Sequence, residues 1–119
     1  MRRIALPLAA ALAAVGVWAQ SALAASNAAV TVNVTASDFK FKLSKTSVPA
    51  GSTVTFKVVN KGRTPHDFDF TTLGKGTAYL APGKSASYKV TFKKSGSFRY
   101  VCTVPRHVEL GMSGSFRVK

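Results

Sequence analysis

The sequence predicts an all-β domain built as a two-sheet sandwich, and three observations lead there. Apolar and polar residues alternate with a period of two through nearly all of the chain after residue 29. Turn-forming residues interrupt that alternation at short intervals. Beyond the first 24 residues no stretch carries the 3.6-residue period of an amphipathic helix. Seven or so short strands with turns at this spacing, on about 95 residues, suit a two-sheet β-sandwich.

Taken in order, the chain of 119 residues begins with a segment of another kind. Met1-Arg2-Arg3 is basic, Ile4 to Trp18 is almost entirely Ala, Leu and Val, and Ala22-Leu23-Ala24 has the small-x-small form that signal peptidase accepts. Residues 1–24 therefore read as a cleavable signal peptide directing export. An uncleaved anchor is the alternative, but the apolar run falls short of the roughly 20 residues a membrane-spanning helix needs. No span is expected in the mature chain. Residues 25–29 read as a loose leader, and residues 30–119 as the folded domain.

Within that domain Val30, Val32 and Val34 alternate with polar residues, and Phe39, Phe41 and Leu43 alternate with Lys40 and Lys42. Val54, Phe56 and Val58 follow opposite Thr53, Thr55 and Lys57, then Tyr88, Val90 and Phe92 opposite Lys89, Thr91 and Lys93. Phe98, Tyr100 and Cys102 continue the pattern, and Phe116 and Val118 close it. Turns are expected at Pro49-Ala50-Gly51, Asn60-Lys61-Gly62, Pro82-Gly83, Ser95-Gly96 and Gly111 to Gly114. Thr71 to Ala81 shows no alternation and reads as a loop crossing between sheets.

Loss of Arg2 and Arg3 with the signal leaves 15 basic residues against Asp38, Asp67, Asp69 and Glu109, a formal charge of +11. In a cytoplasmic protein such a charge would suggest nucleic acid. Export argues against that partner and leaves acidic proteins, anionic membrane surfaces or cell-wall polymers. A solvated basic surface is the plain alternative, and the lysines fit it in that they alternate along strands instead of clustering.

The chain has a single cysteine and two histidines. An unpaired cysteine in an exported protein is buried and inert, joins another chain, or binds something. Strand parity puts Cys102 on the inward face with Phe98 and Tyr100, and His66 on the inward face with Phe68 and Phe70. If those strand ends meet, His107 and Met112 come from the loop that leaves Cys102 and turns back at Pro105 and Gly111. Each residue alone has an ordinary reading, as a core cysteine, a turn histidine after Pro65 or a core-filling methionine. Together, two imidazoles, a thiolate and a thioether are the donor set of a blue copper electron-transfer site. A thioether is a poor partner for zinc, which recruits thiolates or carboxylates.

The run Cys102-Thr-Val-Pro-Arg-His107 followed by Met112, with "NKGRTPHDFDF" from Asn60 to Phe70 and "VPAGSTVTFKVVN" before it, resembles the cupredoxins, small blue copper proteins of the plastocyanin, azurin and auracyanin kind. The resemblance covers essentially the whole mature chain. It implies a Greek-key sandwich with one type 1 copper ion at one end, held by His66, Cys102, His107 and Met112. It also implies a monomeric, exported or periplasmic carrier of single electrons between redox proteins, without enzymatic activity. A periplasmic copper-binding or trafficking protein is the alternative. Two positions depart from the family. Asp67 stands where relatives often have asparagine, and its carboxylate is expected to accept hydrogen bonds from Thr103. Arg106 stands where relatives often have glycine or proline, and is expected to set a positive charge beside His107 for an acidic docking partner.

Overall fold

The structure is a computed structural model that describes residues 28–119. The signal segment expected over 1–24 lies outside the described residues, as does most of the expected leader. Nine strands form two mixed sheets among the described residues. The first sheet holds β1 (Ala29–Ser37), β2 (Lys40–Leu43), β4 (Thr53–Asn60) and β7 (Ser85–Thr91), in the order β2-β1-β4-β7. The second holds β3 (Ser47–Val48), β5 (Asp69–Phe70), β6 (Lys75–Gly76), β8 (Gly96–Val101) and β9 (Ser113–Val118), in the order β3-β9-β8-β5-β6.

The alternation explains the layering. Val32 and Val34 of β1, and Val54, Phe56 and Val58 of β4, are fully or almost fully buried, whereas Lys57 beside them is exposed. From the opposite sheet Phe70, Tyr100, Phe116 and Val118 meet them. Phe56 is the centre of this layer, its ring 5.1 Å from Phe70 and 5.3 Å from Phe116 between centroids. Truncating such a ring to alanine costs about 3–5 kcal/mol.

Two expectations from the alternation need correction. Phe39 is not a strand residue: the chain turns at Asp38 and Phe39 between β1 and β2. Its ring leaves the main core for a smaller cluster with Ala36, Cys102 and Met112. Thr71 to Ala81 is more than a crossing loop. A 3-10 turn over Thr71–Leu73 ends at Gly74, whose φ of 65° suits glycine, and β6 then pairs with β5 before the chain crosses to β7. β1 also begins one residue inside the expected leader, at Ala29.

One buried polar side chain shapes the connection that leads to His66. Asn60, the last residue of β4, is fully buried. Its amide nitrogen donates to the carbonyls of Thr64 and Leu80, at 2.9 and 2.8 Å, and its amide oxygen accepts from the Gly62 N–H at 2.8 Å. The side chain thus ties the 60–66 segment to the strand it leaves and to the chain beside His66. Asn60→Ala is expected to leave buried partners unpaired, each worth about 1–3 kcal/mol. The urea midpoint should fall by the equivalent of about 2–4 kcal/mol with the slope of the transition unchanged; an unaltered midpoint would contradict this role.

Candidate metal centre

Asp69 in β5 pairs with Val101 in β8. Continuing that antiparallel register sets Phe68 opposite Cys102 and Asp67 opposite Thr103, which brings two segments far apart in sequence to one pole of the sandwich. Leu80 bridges to His66 from the other side through paired backbone hydrogen bonds, with Leu80 N–H donating to His66 O at 2.8 Å. Beyond Cys102 the chain closes on itself. The Cys102 N–H donates to Met112 O at 3.1 Å, the Met112 N–H to His107 O at 3.0 Å, and the His107 N–H to Val104 O at 3.1 Å. Gly111, at φ 110°, makes the return that an L side chain would strain.

All four residues singled out in the sequence as metal-binding arrive at this pole. His66 Nδ1 and His107 Nδ1 are 3.1 Å apart. The Cys102 Sγ lies 3.4 Å from His107 Nδ1 and 3.9 Å from His66 Nδ1. His66, Cys102 and His107 form a group whose ligand atoms all lie within 4.8 Å of one another, and all three are buried. Met112 is fully buried and packs in the same cluster as Cys102 and Ala36. Phe39 lids the histidines, its ring 4.9 Å from that of His107 and edge-on to it.

The donors fit copper. Imidazole nitrogens at about 2.0 Å and a thiolate at about 2.3 Å, the distances of zinc sites, lie roughly 3–4 Å from each other, so the observed spacing suits one ion of that size. Soft sulfur with two imidazoles is the ligand chemistry that copper favours. Burial raises the Cys102 thiol above its ordinary value of 9.0 and lowers His107 below 6.5, with the nearby His66 lowering it further. The metal-free site therefore keeps a protonated thiol and a neutral His107 imidazole at neutral pH.

Two carboxylates serve the site. Asp67 is almost completely buried and accepts the Thr103 N–H at 2.6 Å on one oxygen and the Thr103 hydroxyl on the other. It thereby fastens the residue after His66 to the residue after Cys102. The second carboxylate, Asp38, has no part in the sequence reading beyond its charge. It sits in the β1–β2 turn, and one of its oxygens lies 2.7 Å from His66 Nε2. The Arg63 N–H above all, with the Thr64 hydroxyl and His66, holds its pKa down at about 2. The one signal that could have found it is scarcity: four acidic residues on so basic a chain each invite a reason.

Arg106 is exposed in the loop before His107 and has a φ of 74°, the left-handed region where glycine is the ordinary occupant. The large apolar residues left exposed among the described residues are Tyr79, Val108 and Leu110. Val108 and Leu110 flank His107 in sequence, and Tyr79 reaches the Thr103 carbonyl with its hydroxyl at 3.5 Å.

Fold and site together define a β-sandwich with a buried two-histidine, one-cysteine centre at one end. The chain belongs to the family of the cupredoxin-like domain, whose sequence model matches residues 8–112. It is 31% identical over 115 residues to the copper-resistant cuproprotein CopI of Rubrivivax gelatinosus, covering 80% of this chain and 70% of that one. Among solved structures it resembles the auracyanin of Roseiflexus castenholzii, with a TM-score of 0.63 at 19% identity, over 78% of this chain and 98% of the other. It also resembles rusticyanin from Thiobacillus ferrooxidans, with a TM-score of 0.61 at 22% identity, over 75% of this chain and 77% of that one. In this cupredoxin-like domain the His66, Cys102 and His107 cluster can bind one copper ion.

The protonation states set a pH dependence. Ligation requires the Cys102 thiolate, so each ion bound expels the thiol proton while the neutral His107 expels none. Apparent Cu(I) affinity, measured by competition with a chelator, is expected to rise about tenfold per pH unit between about pH 7 and pH 9. A flat profile would mean that the thiol is already ionised or takes no part. In acid the sign is the same. Once pH falls below 6.5 the unfolded chain protonates His107 before the folded one does, so the metal-free fold loses stability.

Proposed function

We propose that this protein is an exported type 1 copper protein that carries single electrons between redox partners. The observation that carries the reading is the buried Cys102 thiol set against two imidazole Nδ1 atoms. His66, Cys102 and His107 would hold the ion, and the buried Met112 thioether would be a fourth donor. Copper supplies one-electron redox chemistry when bound. The chain's part is to fix the ligands so that little moves between oxidation states, to exclude water, and to keep the thiolate away from other reactants. Phe39, Ala36 and Val104 do the excluding by packing around the site. Both histidines of the chain stand in this one centre. None is left to build a substrate-binding copper centre, so the reading is a carrier and not an enzyme.

His107 is the natural exit for the electron. It lies in the loop that carries exposed Val108 and Leu110, near Tyr79, and such an apolar collar can meet a partner closely. Arg106 adds a positive charge there. A non-glycine residue in the left-handed region costs about 1–2 kcal/mol, and that cost supports a use for the arginine side chain. The use proposed is docking to a redox protein with an acidic surface, which suits the basic charge of the chain as a whole. The protein would act as a monomer in the periplasm or otherwise outside the cytoplasm, after removal of residues 1–24.

A second reading, copper binding or trafficking without electron transfer, is favoured by the similarity to a protein named for copper resistance. A buried thiolate ligand weighs against it, because cargo sites usually bind with methionine and histidine and release readily.

Two experiments test the proposal. Cu(II) added to the purified protein should give intense visible thiolate-to-copper absorption that Cys102→Ala abolishes. A colourless copper complex would favour trafficking, and no binding would rule out both copper readings. Arg106→Gly should raise stability by about 1 kcal/mol yet slow electron transfer to an acidic partner at low salt, and Arg106→Glu should slow it more. Unchanged rates and an unchanged salt dependence in both variants would remove Arg106 from docking.

A further inference from the structure

We propose that Asp38 is a positioning residue for the metal centre: its carboxylate fixes His66 in the tautomer that turns a bare Nδ1 toward the metal, and its negative charge favours Cu(II) over Cu(I). The inference rests on the copper reading above and adds to it a residue 28 positions before the ligand it serves.

The tautomer follows from donor and acceptor rules. An ionised carboxylate only accepts hydrogen bonds, so the 2.7 Å contact with His66 Nε2 requires the proton on that nitrogen. A neutral imidazole then has no proton on Nδ1, the atom that faces Cys102 Sγ and His107 Nδ1. The 3.1 Å contact between the two Nδ1 atoms needs one proton, and with His66 in its neutral form that proton is on His107. The two imidazoles are therefore unequal before any ion arrives. His66 is preset as a ligand, and His107 has to move its proton from Nδ1 to Nε2, with no net release.

Asp38 is itself held in place. One carboxylate oxygen accepts the Arg63 N–H at 2.9 Å, and the other accepts the Thr64 hydroxyl at 2.9 Å together with His66. The loop from Asn60 to His66 thus wraps the carboxylate as it delivers the ligand. Gly62 marks how close the packing is, because a Cβ at that position would run into both Asp38 Oδ1 and His66 Nε2. Among the described residues this is the only carboxylate in contact with a basic side chain, on a chain with a large excess of lysine and arginine. A carboxylate on the far side of a ligating imidazole makes that imidazole a stronger donor. The same charge interacts more strongly with the doubly charged ion than with the singly charged one.

The test separates geometry from charge by using the full chain with Asp38→Asn, Asp38→Ala and Gly62→Ala. Asparagine can still accept from His66 through its oxygen while losing the charge; alanine loses both. Nitrogen-15 shifts of the metal-free protein should report His66 protonated at Nε2 in the parent and in Asp38→Asn, and a mixture of tautomers in Asp38→Ala. In the loaded protein, Cu(II) affinity should fall about 10–100-fold in Asp38→Asn, with a smaller loss for Cu(I) and a correspondingly higher reduction potential. Gly62→Ala, which pushes the carboxylate from the ring, should shift the potential in the same direction. A parent His66 protonated at Nδ1 would overturn the positioning role. Equal losses for Cu(I) and Cu(II), or an unmoved potential in Asp38→Asn, would overturn the charge role. The tautomer measurement needs no copper, so it stands apart from the copper reading, which fails only if the parent protein itself gives no thiolate-to-copper colour.

Discussion

One carboxylate closes the pole of the sandwich: Asp67, buried, takes both the N–H and the hydroxyl of Thr103 and so locks the segment after His66 to the loop after Cys102. Everything at the centre depends on that clamp. The single pairing of Asp69 with Val101 is the last sheet contact before the two segments part. Leu80 holds His66 and Met112 holds Cys102, each on its own side, and the contact of Asp67 with Thr103 ties the two segments to each other. The clamp has an electrostatic consequence next door. Burial, and the nearness of Asp67, push the Asp69 carboxyl up to about 7, so the fold accepts an awkward second acid beside the first in order to keep the first in place.

The loop from Cys102 to Met112 answers the same problem from within. Its backbone bonds run from Cys102 to Met112, from Met112 to His107 and from His107 to Val104, so the expected ligands are linked through the main chain as well as through any shared ion. A site assembled this way has its geometry before metal arrives. The cost is visible at Arg106, which occupies a glycine-like conformation, and at the Cys102 thiol, whose enclosure disfavours the thiolate that ligation needs. Rigid enclosure and a reluctant thiol both suit a centre that keeps one ion and changes its oxidation state.

Much of this was legible in the sequence. Period-two alternation aimed Cys102 and His66 inward, and both are buried, although β8 ends at Val101 and β5 begins at Asp69, so each lies just outside the strand its parity was read from; the two turns after Cys102 brought back His107 and Met112. The failures were local. Phe39-Lys40-Phe41-Lys42-Leu43 alternates without a break, so the pattern hid that Phe39 stands in the turn before β2 and, with Asp38, faces the site. β3 and β6 are two residues each, too short for any period to register. Arg106 adopts a left-handed conformation that composition signals only when the residue is glycine. The contact of Asp38 with His66 is tertiary, and nothing in the spacing of the two residues announces it.

The central claim is that the fold sets the ligand geometry and the ion accepts it. Crystal structures of the metal-free, Cu(I) and Cu(II) forms test it most directly. The account predicts that His66, Cys102 and Met112, with the Asp38 and Asp67 carboxylates, superimpose in all three states to within about 0.5 Å, the tolerance expected of a preorganised site. A His66 ring that swings away from Asp38, or a Thr103 that leaves Asp67 when the oxidation state changes, would contradict it.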